Sequence, residues 1–264
     1  MDLHLAGKSA LVSGSTAGIG FAIAQGLARE GAQVLVNGRT QERVDVAVAT
    51  IKKKFPDAGV EGFAGDLGKA DTADELVKRY PEIQILVNNL SIFEAKEFTA
   101  ITDEDWRRFF EVNILSGVRL SRSYLPRMLK SDWGRIVFIS SESALQIPAE
   151  MIHYGMTKTA QLAIARGLAE LTTGTGVTVN SVLPGPTASE GVTDFVTSLA
   201  KQQNQSVEAF EQQFFEKVRP TSLLKRFEST EEIANMVVYV CSPLASGTNG
   251  SALRVDGGVV RAIV

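Results

Sequence analysis

Short apolar runs alternate with longer stretches of helical period along most of this chain. Ala10-Leu11-Val12, Val34-Leu35-Val36, Ile85-Leu86-Val87 and Ile136-Val137-Phe138-Ile139 are continuous, not alternating. Continuous runs of this length mark strands covered on both faces. The pattern predicts strands over 9–13, 33–37, 59–65, 83–88, 135–140, 177–182 and 252–255. It predicts helices over 18–30, 41–55, 72–80, 103–130, 152–172 and 231–241. Ser229-Thr230-Glu231-Glu232 matches a capping box that opens the last helix. Regular alternation of the two element types implies the α/β class, with a doubly wound parallel sheet of about seven strands and helices on both faces. No repeat or composition shift divides the chain, so residues 1–264 read as one domain.

One stretch breaks the rhythm. Residues 187–227 follow Pro184-Gly185-Pro186 and carry Phe195, Leu199, Phe210, Phe214 and Phe215 in polar surroundings. Two readings fit: a peripheral helical pair on the core, or a substrate-binding lid over a pocket at the carboxyl ends of the strands.

Composition narrows the function classes. A chain of 264 residues with 44% hydrophobic content can bury one large core. The net charge is −3 and the longest basic run is Lys52-Lys53-Lys54, which argues against a nucleic-acid partner. No apolar stretch has the length of a membrane span and no leader-like segment opens the chain, so a cytoplasmic protein is expected. Cys241 is the only cysteine, and His4 and His153 are the only histidines. No disulfide and no metal centre are expected.

The chemistry-bearing residues lie at the strand ends. The first strand runs into Gly14-Ser15-Thr16-Ala17-Gly18-Ile19-Gly20 and then a helix. Glycines there allow a tight turn and close approach of a diphosphate to free helix N–H groups. The second strand ends in Asn37-Gly38-Arg39, with no acid until Glu42. A carboxylate at that point holds the ribose 2′-hydroxyl in NAD sites, whereas a guanidinium suits a 2′-phosphate. NADP(H) is therefore favoured over NAD(H). Tyr154 and Lys158 stand four residues apart on a predicted helix, with Ser141 thirteen residues before Tyr154. That spacing puts phenol and ammonium on one face. A neighbouring ammonium would draw the phenol pKa down from its usual value of about 10.

These residues together resemble the short-chain dehydrogenase/reductase family, from about Leu5 to the C-terminus. Further matches carry the resemblance. They are Asp66 in Gly65-Asp66-Leu67, Asn88-Asn89, Asn113 in Glu111-Val112-Asn113, Pro184-Gly185, and Val255-Asp256-Gly257-Gly258. The resemblance implies a Rossmann-like single domain and hydride transfer between nicotinamide and a carbonyl compound or secondary alcohol. It assigns catalysis to Asn113, Ser141, Tyr154 and Lys158. Tyr154 would be the proton donor and Ser141 would orient the substrate oxygen. Lys158 would lower the Tyr154 pKa and hold the nicotinamide ribose. Asn113 would position a water linking Lys158 to solvent. Cofactor contacts fall on Gly14, Ser15, Thr16, Gly18, Ile19, Gly20, Asn37, Arg39, Asp66, Leu67, Asn89, Tyr154, Lys158, Pro184, Gly185 and Thr187.

The overall pattern is similar to 3-oxoacyl-ACP reductase members, so a 3-oxoacyl thioester is one candidate substrate, and a homotetramer (or dimer) is implied. Leu90-Ser91 departs from the family's Ala-Gly after the paired asparagines, and Ser189 stands where a threonine is usual. The different-class alternative is a non-catalytic NAD(P)-binding redox sensor or scaffold. Glu142, Glu150 and His153 are unusual polar neighbours of the site; each is a candidate for substrate contact, with a rim salt link or solvent exposure expected first.

Overall fold

Ala10, Leu11 and Val12 are wholly buried. A central strand with partners on both edges and helices on both faces has no route to water. In the computed structural model, which describes residues 2–190, 197 and 205–263, this strand is β1 (Ser9–Val12). It pairs in parallel with β2 (Gln33–Gly38) on one side and β4 (Ile85–Asn88) on the other. β3 (Val60–Ala64), β5 (Gly134–Ile139), β6 (Val177–Pro184) and β7 (Ala252–Val255) complete a seven-stranded sheet of order β3-β2-β1-β4-β5-β6-β7. All the pairings are parallel.

The pleat of β1 divides the interior. Ala10 and Val12 face a core built with Ile23 and Leu27 of α1 (Gly18–Arg29), Ile51 of α2 (Gln41–Lys54), and Ile233 and Val237 of α8 (Thr230–Val240). Leu11 faces the opposite core. That core holds Leu76 of α3 (Ala70–Arg79), Leu120 and Tyr124 of α5 (Ser116–Lys130), and Ala165 of α6 (Ile152–Glu170). Helices thus cover both faces, as the apolar runs required. Gly26 lets α1 approach α8 closely, since a Cβ there would lie 2.8 Å from Val238 Cγ2. The Ser229 capping box forms in both directions with Glu232.

The helix expected over 103–130 has an interruption. α4 (Asp103–Phe110) passes into a π-turn at Glu111–Leu115 before α5 resumes. A π-turn changes the hydrogen-bond ladder and demands no particular residue type, so the helical stretches on either side read as one in the sequence. Of the 187–227 stretch, Phe195 and Leu199 lie outside the described residues. The described part contains α7 (Val207–Gln213) and a second π-turn at Phe214–Val218. Phe214, Phe215 and Phe227 form an aromatic cluster with centroids 5.1–5.2 Å apart.

Leu11→Ala should lower the unfolding free energy by about 2–5 kcal/mol, because the site lies between two packed layers that cannot collapse onto it. Urea unfolding followed by circular dichroism measures this. A loss under 1 kcal/mol would contradict the packing described.

Candidate active site

The strand order reverses between β1 and β4, and open α/β sheets bind ligands outside the carboxyl ends at such a switch point. A cavity of about 1400 Å³ opens there, running from the start of α1 to the ends of β5 and β6. Ser13 braces the backbone behind it. Its hydroxyl accepts the N–H groups of Asn89 and Leu90, each at 3.0 Å. Asn89 Nδ2 returns hydrogen bonds to the carbonyls of Ser13 and Gly14 at 3.0 and 2.9 Å. Gly14 and Gly18 adopt φ of +61° and +57°, which glycine enters without strain.

The first turn of α1 faces the cavity through Ala17, Gly18, Ile19 and Gly20. Its N-cap, Ala17, supplies no side-chain hydrogen bond, and no acid stands in the first turn. By contrast, Thr40, Thr102 and Ser229 cap α2, α4 and α8. The free N–H groups and the positive end of the helix dipole suit a diphosphate. A dinucleotide therefore fits this end of the cavity.

The expected cofactor residues divide into two sets. Gly18, Ile19, Gly20, Asn89, Tyr154, Lys158, Pro184, Gly185 and Thr187 line the cavity. Gly14, Ser15, Thr16, Asn37, Arg39, Asp66 and Leu67 are not among its lining residues. Several hold the frame instead. Ser15 Oγ donates to Val12 O at 2.7 Å and accepts from Asn37 N at 2.9 Å. Asn37 Oδ1 accepts the Gly14 N–H at 3.0 Å, while its Nδ2 donates to Phe63 O and Gly65 O. Their side chains are thus committed to the glycine turn, and the Leu67 side chain is buried in the second core. Asp66 Oδ1 accepts the Gly68 N–H at 3.0 Å.

Thr16 packs over Gly38. A side chain at Gly38 would meet Thr16 Cγ2 well inside van der Waals contact, so the position where an acid would hold a 2′-hydroxyl has no room for one. Arg39 is exposed just beyond it. Arg43, one turn into α2, does line the cavity and lies 3.6 Å from Glu190. Its four-residue spacing from Arg39 was a readable signal that the strand-end motif obscured.

Leu90 does not obstruct the turn. It packs against the second core, and Gly14 sits beneath it. Ser91 faces the cavity.

At the other end, Ser141 follows β5, and Tyr154 and Lys158 lie on one face of α6. Ser141 Oγ accepts the Ser143 N–H at 3.1 Å. Ser140 turns the opposite way and donates to Lys158 O at 2.8 Å. Lys158 Nζ donates to Ile139 O at 2.9 Å and lies 5.4 Å from the Tyr154 ring centroid. Desolvation pushes the Tyr154 phenol up to about 12, against the nearby Ser141 hydroxyl. Desolvation also pulls Lys158 down to about 7. The expectation that Lys158 lowers the phenol pKa is not what this arrangement shows. The amine is itself buried, and it is hydrogen-bonded away from the ring.

Asn113 sits behind the cavity, where the π-turn places it. Its side chain clasps Ile92 N and O at 2.8 and 2.9 Å, and donates to Thr157 Oγ1 at 3.0 Å. Its carbonyl accepts Gln161 Nε2 at 2.7 Å, and Gln161 Oε1 lies 3.5 Å from Lys158 Nζ. Gln161, three residues past Lys158 on the same helix face, thus links the two.

Two polar neighbours differ from expectation. His153 is wholly buried, with both ring nitrogens unpartnered and its ring 4.0 Å from that of Phe109. Glu142 is buried against Arg219, with Arg219 Nε donating to Oε1 at 2.8 Å. Glu150 is half-exposed, 3.8 Å from Arg219 Nη1. No sequence signal joins Glu142 to a residue so far along the chain.

This fold and cavity define a nucleotide-binding α/β enzyme architecture. A family model described as enoyl-(acyl carrier protein) reductase matches residues 14–260. The chain is 51% identical to the uncharacterized oxidoreductase YvaG of Bacillus subtilis, with 100% of both chains covered. It is 32% identical to the 3-oxoacyl-acyl-carrier-protein reductase FabG of Aquifex aeolicus, over 98% of this chain and 100% of that one. L-Sorbose reductase from Gluconobacter frateurii, solved with NADPH and L-sorbose, superposes with a TM-score of 0.93 at 30% identity, with 100% of each chain covered. The chain belongs to the short-chain dehydrogenase/reductase family, and it is an oxidoreductase acting on alcohol or carbonyl groups.

The lowered Lys158 pKa has a measurable consequence. In the unfolded chain Lys158 titrates near 10.5, and in the folded protein near 7. Between those values the unfolded chain holds a proton that the folded protein has lost, so this group makes stability rise with pH across that window. The unfolding free energy of nucleotide-free wild type minus that of Lys158→Met should therefore climb from pH 7 to 10. A flat difference in urea titrations would show that the amine is not desolvated.

Proposed function

We propose that the protein is an NADP(H)-dependent reductase of a small carbonyl compound, running in reverse as a secondary-alcohol dehydrogenase. The observation that carries this reading is the single cavity joining the uncapped start of α1 to Ser141, Tyr154 and Lys158. Bound nicotinamide would supply or accept the hydride. Tyr154 would give its proton to the substrate oxygen, and a phenol with a pKa near 12 is fully protonated at neutral pH. Ser141 would hold the same oxygen by a hydrogen bond. Lys158 and Asn89, which line the cavity, would orient the ribose, and Asn113 would act through Gln161 on Lys158.

Arg39, with Arg43 beyond it, supports a 2′-phosphate, and the crowding at Gly38 argues against an acid for a free 2′-hydroxyl. The stretch 187–227 would act as the substrate lid, since Phe210, Phe214 and Phe227 line the cavity from it. The likeness to FabG and the apolar wall formed by Phe93, Ile147 and Phe214 favour a second substrate reading, a 3-oxoacyl thioester. Exposed Phe110, Leu171, Leu223 and Ile263 support association into a homotetramer (or dimer).

Tyr154→Phe should lower kcat/KM by about 10²–10⁴-fold while leaving NADPH binding intact by fluorescence titration. Unchanged turnover would overturn the proton-donor assignment. Arg39→Ala should weaken NADPH binding about 10–100-fold and leave NADH binding unchanged, as expected for loss of a charge-assisted hydrogen bond. Equal affinity of wild type for both nucleotides would remove the 2′-phosphate argument.

A further inference from the structure

Beside the reacting groups, the cavity wall carries a charged pair that proton and hydride transfer do not use. Glu142 directly follows Ser141, and Arg219 directly follows the π-turn of the 187–227 stretch. Both line the same cavity as Tyr154. Glu142 is 3% exposed and Arg219 8%. Arg219 Nε donates to Glu142 Oε1 at 2.8 Å. The other carboxylate oxygen, Oε2, is buried with no hydrogen-bond partner.

Buried polar atoms are nearly always partnered, and a carboxylate oxygen can only accept. The guanidinium has little left to offer a ligand. Its Nη1 donates to Val218 O at 3.1 Å and lies 3.8 Å from Glu150 Oε1. Two carboxylates therefore share one cation, and the unmet capacity is that of an acceptor. An anionic ligand would bring a third negative charge to this cation. A hydrocarbon chain has no donor and would leave Oε2 unsatisfied. A hydroxyl group donates to it and adds no charge. Glu142 lines one cavity with Ser141 and Tyr154 and lies near enough to Tyr154 for its charge to act on the phenol, so that hydroxyl belongs close to the oxygen Ser141 would hold.

We propose that Glu142, fixed by Arg219, accepts a hydrogen bond from a substrate hydroxyl adjacent to the reacting carbonyl, so that the substrate is an α-hydroxy or polyhydroxy ketone. This deepens the reductase reading above and rests on it. It separates hydroxyketones from simple ketones, keto acids and 3-oxoacyl thioesters. Burial pushes the Glu142 carboxyl up against the pull of Arg219, and a donated hydroxyl would favour its anion.

The test uses four-carbon ketones with NADPH: 2-butanone, 1-hydroxy-2-butanone and erythrulose. The readout is the ratio of kcat/KM for each hydroxyketone to that for 2-butanone, in wild type and in Glu142→Gln. Glutamine keeps an oxygen for Arg219 and turns the free acceptor into a donor. The ratio should exceed about 100 in wild type and fall at least about 10-fold in the variant, through KM as well as kcat. Losing one member of a buried ion pair can unfold a protein. Glu142→Leu combined with Arg219→Leu removes both charges, and it too should lose the ratio. Circular dichroism and NADPH titration certify each fold.

A ratio near one in wild type, or one unchanged in the folded variants, overturns the proposal and leaves the reductase reading standing. A 3-oxoacyl thioester preferred over both hydroxyketones has the same meaning. No turnover of any carbonyl compound with either nucleotide overturns both readings together.

Discussion

Where β1 and β4 part, one serine hydroxyl holds the fork open. Ser13 Oγ accepts two consecutive N–H groups, from Asn89 and Leu90, while Ser13 N still donates to Val87 O as the last rung of the ladder. The chain after β4 is turned away from the sheet, and Asn89 Nδ2 is brought across to the Gly14 carbonyl. The glycine turn is fixed from the other side by Asn37, whose Oδ1 holds the Gly14 N–H. Between these clasps the start of α1 has one possible direction, and its free N–H groups face the cavity. The site is therefore a consequence of the switch point, with its polar side chains bracing backbone and leaving backbone to meet the ligand.

The sheet was legible in the sequence for a physical reason. Strands buried on both faces are apolar at every position, and no other short element produces Ile85-Leu86-Val87 or Ile136-Val137-Phe138-Ile139 between polar flanks. The capping box at Ser229 was legible because its two hydrogen bonds span three residues. Tyr154 and Lys158 were legible because helix period alone puts them on one face. The π-turn at Glu111–Leu115 was not, since it changes backbone ladder and not residue type. Nor was the Glu142–Arg219 pair. Its members meet only after β6 and the following stretch have been placed, and neither carries a local pattern. His153 looked like a polar residue at the site's edge, yet it is packed between Phe109 and Trp106 as an aromatic ring would be.

Burial governs the titrating groups more than their mutual charge does. Tyr154 moves up and Lys158 moves down, each toward its neutral form. A phenol that stays protonated next to an amine that titrates near neutrality is a low-dielectric arrangement that disfavours ions until something polar enters. The same surroundings strengthen any hydrogen bond formed there once substrate and nucleotide arrive. Glu228 follows the same rule. It is buried beneath Gly185, pushed up to about 7, and accepts the Gly185 N–H at 3.1 Å. That bond ties the start of the 187–227 stretch to its end, because Glu228 N also donates to Pro186 O and Glu228 O accepts from Ala188 N.

The two ends of that stretch converge on the site for different purposes. At Glu228 the backbone is pinned, with Thr187 bridged to it, so the stretch leaves and rejoins the sheet at one place. At Arg219 a cation is delivered to Glu142, the residue beside Ser141. A carboxylate as buried as Glu142 is tolerated only while its counter-charge is present, since an unpaired buried charge costs several kcal/mol. Holding Arg219 in place and keeping Glu142 ionised are therefore one equilibrium. The stretch that leaves the sheet after β6 thus sets the polarity next to Ser141, while the glycine turn and the α6 face stay as the sheet dictates.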